Sequence, residues 1–151
     1  GKANYENGSA ACTALLKKNG LVPENCTIAD GSGLSPDNRL SAQYLTRLLL
    51  FMNTQKNREV FRNSLAVSGR SGTLKDKFSA QELTGRVRGK SGTMDGALTL
   101  SGFAETEKGE LVFSFLANHV DDRKKIWKVY QDILLCLMQY GCEAQPGGNQ
   151  K

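Results

Sequence analysis

Hydrophobic positions recur along this chain at two periods, helical near both ends and alternating in between. The run from Ser9 to Gly20 reads as a short helix, with Ser9 as N-cap and Asn19-Gly20 as its stop. Leu45, Leu48, Leu49 and Met52 then repeat at steps of three and four, predicting a helix from about Ala42 to Met52 capped by Ser41. Between these helices, residues 29–43 are rich in Gly, Pro, Asn and Asp and read as an ordered loop. Residues 60–79 show no period and are basic. Alternation then sets in: Arg86 out, Val87 in, Arg88 out predicts a strand over Gly85 to Lys90. Ala97 to Glu105 and Glu110 to Asn118 are two further strand candidates, joined by a hairpin turn at Glu107-Lys108-Gly109. Asp121-Asp122 opens a long helix to about Tyr140. Ile126, Tyr130, Ile133 and Leu137 share one of its faces, with Trp127, Leu134 and Met138 beside it.

Three consecutive strands with short connections imply an α+β fold, an antiparallel sheet of about three strands covered by helices. With no repeat and no linker, residues 1–140 read as one unit and 141–151 as a polar, Gly-rich tail. Three strands are few, and Arg86-Val87-Arg88 is polar for a sheet centre, so the chain reads as a piece of something larger. At 151 residues it can still bury a core, and 39% hydrophobic with 23% charged residues describes a soluble globular chain. The longest apolar runs, Leu48 to Met52 and Ile133 to Met138, are far too short to span a bilayer. Residues 1–20 lack a basic start followed by an apolar segment, so no signal peptide is expected within them.

Charge changes the picture in one place. The net charge is +5, yet residues 56–90 alone carry nine lysines and arginines against Glu59, Asp76 and Glu82. Such a patch attracts anions in general. Nucleic-acid binding wants aromatics interleaved with the cations, and only Phe61 and Phe78 qualify, so no nucleic-acid partner is expected. A solvated basic face, or a non-catalytic cell-wall or partner-binding module using this region, are the alternatives. Cys12, Cys26, Cys136 and Cys142 form no Cys-x-x-Cys pair, which argues against a zinc site. Cys12 and Cys136 fall in helical patterns as small core residues; Cys142 is open to pairing in an oxidising compartment.

The residues that suggest chemistry are Lys90-Ser91-Gly92-Thr93, at the end of the first strand. A lysine there sets an ammonium at the edge of the sheet. Ser91 and Thr93 add two hydroxyls on one side, and Gly92 admits a ligand backbone. With the Thr93 N–H free to donate, this is a site for a peptide carboxylate and a developing oxyanion. Alone, Lys-Ser-Gly occurs often by chance. In company it is more specific: Asp30-Gly31-Ser32-Gly33-Leu34-Ser35-Pro36-Asp37-Asn38, Ser71-Gly72-Thr73-Leu74 and the run from Gly85 to Thr93 come in order. Together they resemble the D-alanyl-D-alanine carboxypeptidase/endopeptidase family called penicillin-binding protein 4-like, or DacB-like, over roughly Tyr5 to Tyr140.

The resemblance implies the C-terminal part of a transpeptidase-like penicillin-binding domain. It implies a serine acyl-transferase acting on peptidoglycan peptides in the periplasm or cell envelope, trapped by β-lactams, with no metal or cofactor. Lys90 is then a catalytic positive charge beside the nucleophile. Ser91 and Thr93, with Gly92, bind the substrate carboxylate, and the Thr93 N–H is one oxyanion donor. Such enzymes carry Ser-x-x-Lys and Ser-x-Asn motifs, and neither motif occurs in the 151 residues. The nucleophile is therefore expected in an N-terminal part of the same protein, and this fragment alone is expected to be inactive. Asp30 to Gly33 reads as an architectural turn near the site, and Ser71-Gly72-Thr73 as a loop. His119 reads as a surface or capping residue, Asp121 and Asp122 as helix-start acids, and Trp127 as helix-face packing.

Overall fold

The computed structural model describes residues 4–22 and 24–140. Helix α1 (Tyr5–Lys18) starts earlier than the pattern suggests, because the Asn4 side chain accepts the Asn7 amide at 2.8 Å and serves as N-cap. Ser9 lies inside that helix, where its hydroxyl donates to the Ala29 carbonyl at 2.9 Å and ties α1 to the following loop. Helix α2 (Ala42–Asn53) begins as read, with Ser41 Oγ accepting the Tyr44 amide at 3.0 Å. Within the segment read as irregular, the structure has a short helix α3 (Arg58–Asn63), a two-residue strand β1 (Ala66–Val67) and 3₁₀ turns at Gly72–Leu74 and Gln81–Leu83. Elements this short leave no periodicity to detect. The strands β2 (Val87–Met94), β3 (Ala97–Thr106) and β4 (Gly109–Asn118) follow, then helix α4 (Arg123–Tyr140). Asp122 caps α4, its Oδ1 accepting the amides of Lys124 at 2.9 Å and Lys125 at 3.1 Å.

The sheet is antiparallel throughout in the order β1-β2-β3-β4, so it has four strands rather than three. Strand β2 also runs further than read, which puts Lys90 in mid-strand and not at its end. Its register pairs Val87 with Ala104, Lys90 with Ser101, and Thr93 with Leu98. Gly89 and Gly102 face each other so closely that a Cβ on Gly102 would lie 2.0 Å from the Arg88 carbonyl oxygen. Glycine is required at 102.

Alternation assigns the two faces. Val87, Leu98, Leu100, Ala104 and Phe113 point to one side and meet Tyr130, Leu134 and Met138 of α4, with Leu74, Phe78 and Leu83 closing the flank. The buried stripe of α4 is therefore Tyr130, Leu134 and Met138 rather than the Ile126, Tyr130, Ile133, Leu137 face, and Ile133 is exposed. Two neighbouring stripes of apolar residues make that phase ambiguous from spacing alone. Gln131, also buried, accepts hydrogen bonds from the Ser79 and Ala80 amides at 2.8 and 3.2 Å, fixing the loop beneath α4. On the other face α2 packs on β4 and part of β3.

The thiols are not core residues as expected. Helix α1 has no buried residue, so Cys12 is exposed. Cys136 sits on the outer flank of α4, two residues past the buried Leu134. Cys26 is half-buried, and all three are free thiols. Cys142 and the 141–151 tail lie outside the described residues. No helix among the described residues is long and apolar enough to cross a membrane.

Candidate active site

Strand β2 has an open edge. Among the described residues, β1 covers it only opposite Arg88 and Gly89. The Glu105 amide donates to the Arg86 carbonyl at 2.8 Å, while the Val87 carbonyl accepts from Ser68 on the other side at 2.9 Å. Odd-numbered residues of β2 thus aim their backbone N–H and C=O groups away from β3. At Ser91 and Thr93 that direction is the uncovered edge.

The side chains of Ser91 and Thr93 rise on the α4 face of the same strand. There they line a groove of about 370 Å³ with Gly72, Thr73, Asp76, Lys77 and Trp127. Three elements position it. The 3₁₀ turn brings Thr73, whose Oγ1 accepts the Ser91 hydroxyl at 2.7 Å. Helix α4 brings Trp127, braced edge-on against Phe78 at 5.7 Å and Tyr130 at 5.9 Å. Beside the turn, Lys77 holds its ammonium 5.6 Å from the centre of the Trp127 ring. Deeper down, Tyr130 donates to the Leu98 carbonyl at 2.8 Å, and burial pushes its phenol above the usual range.

Ser91 and Thr93 thus share a groove as their spacing suggested, and Trp127 packs on α4 as read while also forming the groove wall. Lys90 does not line it. It leaves the strand on the opposite face, is exposed, and its ammonium reaches the open edge to donate to the Ser91 carbonyl. Gly92 shares the Lys90 face, where a Cβ would lie 2.6 Å from Thr99 Oγ1. Ser71-Gly72-Thr73 is not a mere loop: Gly72 and Thr73 line the groove. The signal available was its repeat of the hydroxyl pattern of Ser91-Gly92-Thr93. Asp76 and Lys77 were missed because the basic segment was read as a solvated face.

The Asp30 turn stands apart, and none of its residues lines the groove. Its carboxylate accepts from Ser32, Gly33, Leu34, Ser35 and Asn38, and these bonds, led by Asn38, hold its pKa at about 2. This is loop architecture, as its composition suggested. His119 is exposed in a left-handed conformation (φ 54°) at the β4–α4 junction. Much of the basic patch is also accounted for: Arg62 pairs with Glu110 and stacks on Phe103 at 4.8 Å, and Arg86 donates to the Glu105 carbonyl at 3.1 Å. No metal-binding cluster of His, Cys, Asp and Glu exists among the described residues.

A family model described as D-Ala-D-Ala carboxypeptidase 3 (S13) matches residues 1–133. The chain belongs to this family. It is 31% identical over 123 residues to the D-alanyl-D-alanine carboxypeptidase of Actinomadura sp. (strain R39), covering 78% of this chain and 23% of that protein. Against the D-alanyl-D-alanine carboxypeptidase DacB of Haemophilus influenzae it is 27% identical over 112 residues, covering 73% and 23%. The fold agrees with the solved penicillin binding protein 4 (dacB) from Haemophilus influenzae, with a TM-score of 0.83 at 23% identity, over 91% of this chain and 33% of that one. This S13-family chain therefore spans about a quarter of the length of the curated relatives and a third of that solved chain.

Proposed function

We propose that these 151 residues form the carboxylate- and oxyanion-binding part of a serine-type D-Ala-D-Ala carboxypeptidase or endopeptidase. The parent protein cleaves peptidoglycan peptides in the cell envelope through an acyl-enzyme and is trapped by β-lactams. The observation that carries the reading is the open edge of β2, where the backbone groups of Ser91 and Thr93 face outward beside their own hydroxyls.

The roles follow from that geometry. The Thr93 N–H donates to the oxygen that gains charge as the scissile carbonyl becomes tetrahedral; one such donor is worth about 3 kcal/mol of barrier. The Ser91 and Thr93 hydroxyls receive the substrate carboxylate in the groove. Lys90, with its ammonium at the Ser91 carbonyl, sets positive charge on the open edge, where a serine from another part of the parent attacks. Gly92 leaves room for the Thr99 hydroxyl on the Lys90 face of the strand. The 151 residues hold no Ser-x-x-Lys motif, so acylation requires the rest of the parent.

Fluorescent penicillin tests this reading. The parent becomes covalently labelled on a serine outside this chain and releases D-alanine from a D-Ala-D-Ala peptide, while the isolated 151 residues stay unlabelled. Covalent labelling of the isolated chain overturns the assignment of the nucleophile. A parent that neither labels nor releases D-alanine points instead to a non-catalytic wall-binding module using residues 56–90.

A further inference from the structure

The groove holds three hydroxyl-bearing side chains, one acid and one cation. Ser91, the deepest at 8% exposed, has its hydroxyl committed to Thr73 Oγ1 at 2.7 Å. Lys90 sits on the other face of the strand, outside the groove. The Lys90 ammonium stays at the open edge against the Ser91 carbonyl and does not line the groove. The cation that lines the groove is Lys77. Among the described residues it makes no ion pair, and its ammonium rests over Trp127 with its three donors available. The cation–π contact holds the long side chain at the wall, which lowers the entropy cost of using it.

We propose that Lys77 is the residue of this chain that selects a free C-terminal carboxylate, acting as its counter-charge while the Ser91 hydroxyl turns its one proton from Thr73 Oγ1 to the carboxylate and accepts from the Thr73 hydroxyl in return. This rests on the reading of the groove as a substrate site. Asp76, on the same wall, opposes Lys77: its negative charge repels a carboxylate and tolerates a neutral or amide-extended end. The ratio of the two charges' effects sets how far the site favours a terminal residue over an internal cross-link.

The test uses the parent protein and two acetylated peptides ending in D-Ala-D-Ala, one with a free carboxylate and one with a C-terminal amide. Wild type prefers the free acid in kcat/KM. Lys77→Met lowers that preference about ten-fold, mainly through KM, and Lys77→Arg retains it. Asp76→Asn raises the preference. An unchanged acid-to-amide ratio in Lys77→Met overturns the proposal even though the parent remains an active peptidase. So does an equal loss on both peptides that Lys77→Arg fails to restore, since that marks a structural role. A wild-type parent that cleaves neither peptide fails the underlying functional reading instead.

Discussion

The two parts of the chain are held together by different forces. From Ala66 onward, the strands and α4 bury a continuous set of large apolar side chains, with Leu98, Leu100 and Leu134 essentially inaccessible. Before it, α1 buries nothing, Leu15 is 62% exposed, and among the described residues only Leu21, Tyr44 and Leu49 are buried hydrophobics. Each fully buried leucine contributes about 2 kcal/mol. Apart from α2, which packs on β4 and β3, the first part relies on caps and on the hydrogen bonds around Asp30. A site that must hold hydroxyls and a backbone amide to within a fraction of an ångström belongs on the rigid part, and that is where Ser91 and Thr93 lie.

The contrast can be broken from the rigid side first. Gly102→Ala forces β2 and β3 apart at Gly89 and costs about 3 kcal/mol or more, read as lost cooperative unfolding in urea. Leu134→Ala leaves a cavity under Leu98 and Leu100 and costs about 3 kcal/mol, a lower urea midpoint with unchanged slope. Thr73→Val removes the acceptor of the Ser91 hydroxyl near the surface and costs about 1 kcal/mol. In the parent the same change raises KM for the free-acid peptide more than it lowers kcat. At the small end, Leu15→Ala on α1 shifts stability by less than about 0.5 kcal/mol. A larger effect there would show that α1 is packed in solution.

Acid sharpens the comparison from the loop side. The folded-state pKa of Asp30 is depressed from 3.8 to about 2, so its stabilising effect is fully present above pH 3.8 and is lost as pH falls toward 2. Asp30→Asn should remove that part of the pH dependence and loosen residues 30–38 to hydrogen exchange while leaving β2–β4 protected. Equal loss of protection in the sheet would contradict the division into two parts.

How much of this was legible in the sequence follows from length. β3, β4 and α4 announce themselves because they run over ten or more residues with a clear period. Ala66–Val67 and Gly72–Leu74 do not, since two or three residues carry no period, and the fourth strand and Thr73 were lost together. Lys90-Ser91-Gly92-Thr93 pointed to the right strand, but mid-strand alternation turns Lys90 away from the hydroxyls it precedes. Lys77 was hidden for another reason: a charge count cannot tell a solvated lysine from one laid against Trp127.

The placement of the substrate carboxylate tests the account most directly. In a structure of the parent acylated by a penicillin, the β-lactam carboxylate should lie about 3 Å from the hydroxyls of Ser91 and Thr93, on the Trp127 side of β2, with the acyl oxygen at the Thr93 amide. A carboxylate bound on the opposite face, with those hydroxyls untouched, would contradict it.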